Sequence, residues 1–198
     1  MSLSYNLIHQ KDYQVSTWSG GKTTQICLAP QGGQYKVGEF DYRISSATIE
    51  LDESTFSPLG GYSRLILSLD SPIVLQHPDR SDEVFRLQPF EVHSFEGDWQ
   101  TVSRGKCTDF NLIYKSSLRG SMSVVTGNEA IQVQQDTEYV LFAVEDVELT
   151  GITEYPLTLA KGSSIQIFCS DKESVIYVKS EHNRQPLVIV SSITNTLN

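Results

Sequence analysis

The sequence predicts an all-β protein with many short strands and little helix. Its dominant hydrophobic period is two residues, which is the period of a strand with one buried face. Clusters of Gly, Pro, Asp and Ser, such as Gly60-Gly61, divide many of the candidate strands. Many short strands separated by turns are typical of a sandwich or a small closed barrel. We expect at most one helical turn, near residues 52–58.

Side chains of different character alternate most clearly in two segments, which are the first predicted strands. In residues 43–51, one face carries Arg43, Ser45, Ala47, Ile49 and Leu51. In residues 63–69, Arg64 lies on the face opposite to the three leucines. Six further segments, short and rich in Val, Ile, Tyr and Thr, are predicted as strands: residues 24–28, 109–115, 139–144, 164–169, 175–179 and 186–192.

Composition excludes several classes of function. The 198 residues carry 24 acidic and 15 basic side chains, a net charge of −9, whereas nucleic-acid binding needs clustered Lys and Arg. No apolar run approaches the roughly 20 residues that span a bilayer. The odd number of cysteines and the absence of a secretory signal indicate free thiols in the cytoplasm. We therefore expect no nucleic-acid or membrane partner, and we leave a homodimer open.

Two arginines on predicted strands indicate a binding pocket. If Ala47 and Ile49 point into a barrel, Arg43 and Ser45 point inward as well, because strand faces alternate. Arg64 interrupts an otherwise apolar strand. A buried, unpaired charge costs on the order of 3–5 kcal/mol, so each inward guanidinium requires a partner. Bidentate recognition of a carboxylate is the chemistry that arginine supplies best.

Further residues complete the predicted pocket. Asp109 and Asn111 share one face of their strand, where they could orient the arginines or contact a ligand. We expect a pocket for a small carboxylate metabolite, with an aromatic wall, built from Trp18, Arg43, Ser45, Arg64, Asp109 and Asn111. The alternative is an internal salt bridge from Arg43 or Arg64 to Asp109, which would describe a scaffold without a ligand.

The histidines do not have the spacing of metal ligands, so we expect no metal and no cofactor. They are His9, His77, His93 and His182. A second alternative is a metal-free isomerase or epimerase that uses His93 with Asp98 or Asp109. Acid–base chemistry of this kind requires the two groups within hydrogen-bond reach. The position of His93 therefore discriminates an enzyme from a binding protein.

Several segments together resemble the HutD/Ves family. They are WSGGKTT at residues 18–24, FDYRISSA at 40–47, the stretch 56–61 with Arg64, FEGD at 95–98, and Gly105 followed by DFNL at 109–112. Their order and spacing are similar to the family over roughly residues 15–115. One departure is Tyr42, which stands where the family usually carries Trp.

The resemblance implies a bicupin, two double-stranded β-helix barrels without the cupin metal motif. Residues 1–198 would form a single HutD/Ves-like unit, with a cupin-like barrel and its pocket in 1–115 and a second β-barrel half in 116–198. Members of this bacterial family are linked to histidine utilisation or stress responses and are usually considered ligand-binding regulators. Urocanate and N-formylglutamate are then the natural candidate ligands.

Overall fold

The structure, a computed structural model, describes residues 3–170, 173–181 and 186–196. These residues form nineteen strands: β1 (Leu3–Ile8), β2 (Gln14–Trp18), β3 (Gly21–Ala29), β4 (Tyr42–Ile49), β5 (Glu53–Thr55), β6 (Tyr62–Ser68), β7 (Ile73–Gln76), β8 (Val84–Leu87), β9 (His93–Glu96), β10 (Val102–Arg104), β11 (Cys107–Lys115), β12 (Leu118–Val125), β13 (Ala130–Val133), β14 (Thr137–Ala143), β15 (Val147–Thr150), β16 (Leu157–Leu159), β17 (Ser164–Cys169), β18 (Ser174–Lys179) and β19 (Val188–Asn195). The only helical element in the described ranges is a 3-10 turn, Gln10–Asp12. The prediction of a nearly all-β protein is confirmed.

The helical turn expected near residues 52–58 does not form. Strand β5 occupies this segment and pairs with β10, so that Glu53 lies opposite Arg104 and Thr55 opposite Val102. This pairing joins residues about fifty positions apart, and it overrides the local preference from which the turn was predicted. In the part of the chain that is described, no helix is long and apolar enough to cross a bilayer.

The chain divides into two compact units. The continuous unit is Tyr13–Ser117, and the split unit combines Met1–Asp12 with Leu118–Asn198. The first residues belong to the split unit because β1 pairs with β17, from Leu3 opposite Cys169 to Ile8 opposite Ser164. The division predicted from the sequence instead places the first twelve residues with residues 13–115.

The continuous unit contains two antiparallel sheets. One sheet has six strands in the order β2-β3-β4-β11-β6-β9, and the other has four in the order β5-β10-β7-β8. Apolar side chains from both sheets pack together, as in other face-to-face β structures. This core consists of Ile49, Ile66, Ile73, Leu75, Leu87, Phe95 and Cys107.

The split unit repeats this plan with its own core. Its five-stranded sheet has the order β1-β17-β14-β19-β12, and its four-stranded sheet has the order β13-β18-β15-β16. Buried residues such as Leu141 and Leu149 come from both sheets, and Leu3 and Leu7 of β1 pack against them. The first strand of the chain thus contributes apolar surface to a core made mainly by the last eighty residues.

The four sheets remain open and do not close into the barrels that the sequence analysis anticipated. In the described ranges, no hydrogen-bonded ladder joins the two sheets of either unit. The sheets of each unit are held by side-chain packing instead. No disulfide bond joins the three cysteines, Cys27, Cys107 and Cys169.

Candidate functional site

A cavity of about 420 Å³ opens in the continuous unit, and all six predicted site residues line it. Trp18, Arg43, Ser45, Arg64, Asp109 and Asn111 are joined there by nine further residues: Thr23, Tyr35, Ala47, Ile49, Ser54, Thr55, Phe56, Ser57 and Ile113. Its size and its mixture of apolar walls with a few polar groups are typical of small-molecule sites. The structure brings the predicted residues together, and their binding of a ligand stays a prediction.

Strand pairing explains why the two arginines share the cavity. β11 pairs with β4 on one side and with β6 on the other, and its Ile113 lies opposite both Arg43 and Arg64. Side chains in one cross-strand row point to the same face of a sheet. With strands about 4.8 Å apart, the Cα atoms of the two arginines are separated by roughly 10 Å. A single small anion therefore lies within reach of both long side chains.

Arg43 is 9% exposed and is held by polar neighbours. Its Nε donates to Gln25 Oε1 at 2.9 Å, and its Nη1 donates to Ser45 Oγ at 3.2 Å. The ring of Tyr35 lies over the guanidinium, with its centroid 4.1 Å from Cζ. Burial lowers the pKa of Arg43, although Tyr35 and Asp109 oppose this effect. These contacts fix the orientation of the Arg43 guanidinium group.

Arg64 is 5% exposed and has fewer partners. Its Nη2 donates to the Ser57 carbonyl oxygen at 2.7 Å, while its Nε is buried without a hydrogen-bond partner. The Phe56 and Phe95 rings lie beside it, with centroids 5.6 and 5.9 Å from Cζ. Burial lowers the pKa of Arg64, and the nearby charge of Arg43 lowers it further. The site therefore holds a desolvated cation with unused hydrogen-bonding capacity.

Asp109 and Asn111 form the polar floor of the cavity. Asp109 is 3% exposed, and its Oδ1 accepts hydrogen bonds from Asn111 Nδ2 at 3.0 Å and from the Ala47 backbone N–H at 3.1 Å. Burial raises the pKa of Asp109 to about 7, and these hydrogen bonds together with the two arginines limit the rise. The carboxyl is thus poised to gain or lose a proton near neutral pH.

The salt bridge that the scaffold alternative requires is not formed. Within the described residues, neither Arg43 nor Arg64 lies within 4.0 Å of a carboxylate oxygen of Asp109 or of any other acidic side chain. Neither buried guanidinium is therefore neutralised by a direct ion pair. A charge buried in this way is costly unless an anion compensates it.

Trp18 stands at the rim of the cavity, at the end of the exposed strand β2. It is 39% exposed and pairs across a tight hairpin with Gly21. Gly20 in the turn lies against the indole ring, since a Cβ atom there would come within 2.1 Å of Trp18 Cζ3. The glycine thus leaves room for the aromatic wall that was predicted.

Tyr35 and Phe56, whose rings lie beside the two arginines, are among the lining residues that were not predicted from the sequence. Tyr35 lies in the connection between β3 and β4, and Phe56 follows β5, so strand alternation gave no information about either. Phe56 does belong to one of the segments that resemble the HutD/Ves family, and this signal could have identified it. No comparable signal marks Tyr35.

His93 lies outside the cavity, next to a second histidine. Its Nε2 is 3.0 Å from His77 Nε2, and His77 Nδ1 is 3.0 Å from Thr101 Oγ1. Burial and the neighbouring His77 lower the pKa of His93 to about 4. No recorded hydrogen bond joins His93 to Asp98 or Asp109, so the geometry for the isomerase alternative is lacking. His182 lies outside the described residues.

No metal centre is found within the ranges that the structure describes. Among these residues, no group of three or more His, Cys, Asp or Glu side chains is arranged to hold a metal ion. The chemistry available in the cavity is accordingly that of two guanidinium groups, one carboxyl, one amide and several hydroxyls.

A family model described as HutD matches residues 10–183 of the chain. The chain belongs to the HutD family. This assignment confirms the resemblance seen in the sequence, and it extends the match well beyond residue 115. No curated protein matches this HutD-family chain.

Solved structures with the same fold include two from Pseudomonas. HutD from Pseudomonas fluorescens SBW25 is 24% identical, with a TM-score of 0.77, covering 97% of this chain and 99% of its own. A conserved protein of unknown function from Pseudomonas aeruginosa PAO1 is 21% identical, with a TM-score of 0.79, covering 97% and 100%. An Escherichia coli pirin in complex with nickel(II) is 7% identical, with a TM-score of 0.66, covering 97% and 99%. These similarities show a cupin-like fold.

Proposed function

We propose that this HutD-family protein binds a small carboxylate metabolite in the cavity and acts as a regulator rather than as an enzyme. One observation carries the proposal. Two buried arginines face one cavity, and within the described residues neither is ion-paired with a carboxylate. A ligand carboxylate would supply the missing charge. Because His93 does not line the cavity, binding is favoured over catalysis.

The energetics are consistent with metabolite sensing. Each hydrogen bond to a charged group contributes roughly 1.5–3 kcal/mol. Two arginines could therefore support micromolar affinity, which corresponds to about −8 kcal/mol after the costs of ordering. Trp18 and Phe56 would contact the apolar part of the ligand, while Ser45 and Asn111 would fix its orientation.

Histidine utilisation supplies the first ligands to examine. The family has been linked to this pathway or to stress responses, and its intermediates urocanate and N-formylglutamate carry carboxylates. Formate, which is named in the description of the Pseudomonas fluorescens HutD structure, is the smallest member of the same chemical class. A regulator that binds such metabolites would act in the cytoplasm.

The finer architecture is also part of the proposal. The continuous and split units would correspond to the two barrels of a bicupin, each represented here by a pair of open sheets. A crystal structure in which the strands at the sheet edges remain separate in both units would contradict this interpretation.

A thermal-shift screen tests the binding function. Urocanate, N-formylglutamate and formate are added to the wild type and to the Arg43→Ala and Arg64→Ala variants. A ligand at about one hundred times its Kd stabilises the native state by roughly 2.7 kcal/mol, which raises the melting temperature by about 5–10 °C. We expect this rise in the wild type and its loss in both variants.

Arg86→Ala is the matched control, because Arg86 is exposed on β8 and does not line the cavity. It removes the same charge and should retain the full shift. If no carboxylate stabilises the wild type, or if both cavity variants respond as the control does, the binding function is excluded and a scaffold becomes the better description.

A further inference from the structure

The cavity contains an acidic group whose place in an anion site needs an explanation. Asp109 lies on β11, in the cross-strand row of Ala47 and Ser68, four residue pairs along the ladder from the row of the two arginines and on the same face of the sheet. It lines the same cavity as they do and is 3% exposed. A fixed negative charge here would repel the carboxylate that the arginines attract.

The two oxygens of Asp109 have different environments. Oδ1 accepts both recorded hydrogen bonds, from Asn111 Nδ2 and from the Ala47 backbone N–H. For Oδ2, no hydrogen bond from any described residue is recorded. Since both donors are committed to Oδ1, a proton is most readily accommodated on Oδ2, from where it can be donated to a ligand.

The charged and titratable groups around Asp109 come from three strands. Arg43 approaches from β4 and Arg64 from β6, and both favour the ionised carboxylate. Cys107 lies on β11 itself, and burial together with Asp109 raises the pKa of its thiol to about 12, so the thiol is neutral. Desolvation outweighs these effects, and neither Arg43 nor Arg64 forms an ion pair with Asp109.

We propose that Asp109 contacts the bound ligand as a neutral carboxylic acid, so that each carboxylate entering the cavity is accompanied by one proton. The inference rests on the proposed binding function. The proton is taken from solvent onto Asp109 Oδ2, which then donates an O–H···O⁻ hydrogen bond to the ligand. Such charge-assisted bonds are short and strong, whereas two ionised carboxylates side by side cannot share a desolvated site.

This coupling makes the affinity depend on pH. Above neutral pH, a diminishing fraction of the free protein holds the proton, and the apparent Kd rises in inverse proportion to that fraction. Between pH 7.5 and pH 8.5 the expected weakening is about eightfold. The ligand's own charge plays no part, because formate and N-formylglutamate remain fully ionised over this range.

Calorimetric titrations with sodium formate and with N-formylglutamate test the inference. Titrations at pH 7.5 in HEPES and in Tris, whose ionisation enthalpies differ, give the number of protons taken up on binding. We expect about 0.8 proton per ligand for the wild type, together with the eightfold loss of affinity at pH 8.5. Asp109→Asn should bind without proton uptake and with one Kd at both pH values.

Asp98→Asn is the matched control, since it removes the same charge from an exposed side chain outside the cavity. It should behave as the wild type. Binding without proton uptake in the wild type, or equal uptake in Asp109→Asn, overturns this inference and leaves the binding function intact. Absence of binding by both probes at both pH values overturns this inference, and if urocanate also gives no thermal shift the binding function is overturned with it.

Discussion

The buried charge of Arg64, which we propose binds the ligand, is expected to lower the stability of the folded protein. Its guanidinium is buried, makes one hydrogen bond to the Ser57 carbonyl, and leaves Nε without a partner. Replacing a poorly compensated buried charge with an apolar side chain of similar volume is often neutral or stabilising by about 1–4 kcal/mol. Arg64→Met should therefore keep or raise the free energy of unfolding of the ligand-free protein, while abolishing stabilisation by carboxylates.

Urea denaturation without ligand, followed by the carboxylate thermal shift, measures both effects. Arg43→Met is the comparison, because it leaves Gln25, Ser45 and the Tyr35 ring without their cation. It should lower the free energy of unfolding. A larger loss of stability in Arg64→Met than in Arg43→Met would contradict this account of the buried charge.

His93 makes stability depend on pH in the acidic range. Burial and His77 hold its pKa at about 4 in the folded protein, below the usual value of 6.5. The unfolded chain therefore binds the proton more tightly, and this contribution to stability is lost as the pH falls from 6.5 to 4. The loss amounts to about 3 kcal/mol at most. His93→Gln should lose less stability over that window than the wild type.

Urea denaturation at pH 7 and at pH 4.5 gives the difference between the two proteins. The variant must be compared with the wild type because Asp109 changes the stability in the opposite direction as the pH falls. Its folded pKa lies above the usual value of 3.8, so its contribution grows as the pH falls from 7. His9→Gln, at an exposed position, is the control. Equal pH dependence in His93→Gln and the wild type would exclude the buried pair as the cause.

The hairpin of β2 and β3 depends on a glycine with no room for a side chain. Gly21 has a φ of 147°, and a Cβ atom there would lie 1.8 Å from the backbone oxygen of Thr48 on β4. A backbone clash cannot be relieved by rotating a side chain. Gly21→Ala should therefore lower the free energy of unfolding by about 2–4 kcal/mol and disturb Trp18, its partner across the hairpin.

Gly32→Ala is the control that distinguishes the steric clash at Gly21 from the energetic cost of placing a non-glycine residue at a positive φ. Gly32 also has a positive φ, 83°, but nothing lies within 4 Å of its Cβ position. Its substitution should cost only about 1 kcal/mol. Urea denaturation compares the two variants, and tryptophan fluorescence reports on Trp18. Similar losses of stability would show that the contact with Thr48 is unimportant.

Strands with a clear alternation in the sequence were predictable, but β7, β13 and β15 were missed although each buries one face. The alternation in β4, β6 and β11 is explicit in the sequence, and β17 begins and ends at the predicted residues. β2 was missed because all five of its residues are exposed. The three-residue strands β5 and β10 were missed because they exist through pairing with each other and with β7.

The same reasoning explains how much of the candidate site could be predicted. Face alternation was sufficient to assign Arg43 and Ser45 to one side of a sheet, and the interruption of an apolar strand identified Arg64. Tyr35 and Phe56 reach the cavity from connections between strands. Their positions depend on the path of the chain in three dimensions, which a periodicity of two does not encode.

The net charge of the whole molecule is opposite in sign to the two guanidinium groups that line the cavity. The net charge of −9 repels an approaching anion at long range, while the cavity offers two buried guanidinium groups. Recognition of a carboxylate must therefore arise from short-range contacts, which salt screens less than it screens the surface field. Discrimination among metabolites would then depend on the shape and hydrogen bonding of the cavity.

The pairing of β1 with β17 has a consequence for how the protein is made. A ribosome releases β1 long before its partner strand β17. All strands of the continuous unit are complete by Lys115, so that unit can form early, as domains generally do during synthesis. β19, the last strand of the described residues, lies between β14 and β12 in the sheet that β1 joins. A prematurely terminated chain would thus carry a finished cavity beside an unassembled sheet, with Leu3 and Leu7 exposed to chaperones and proteases.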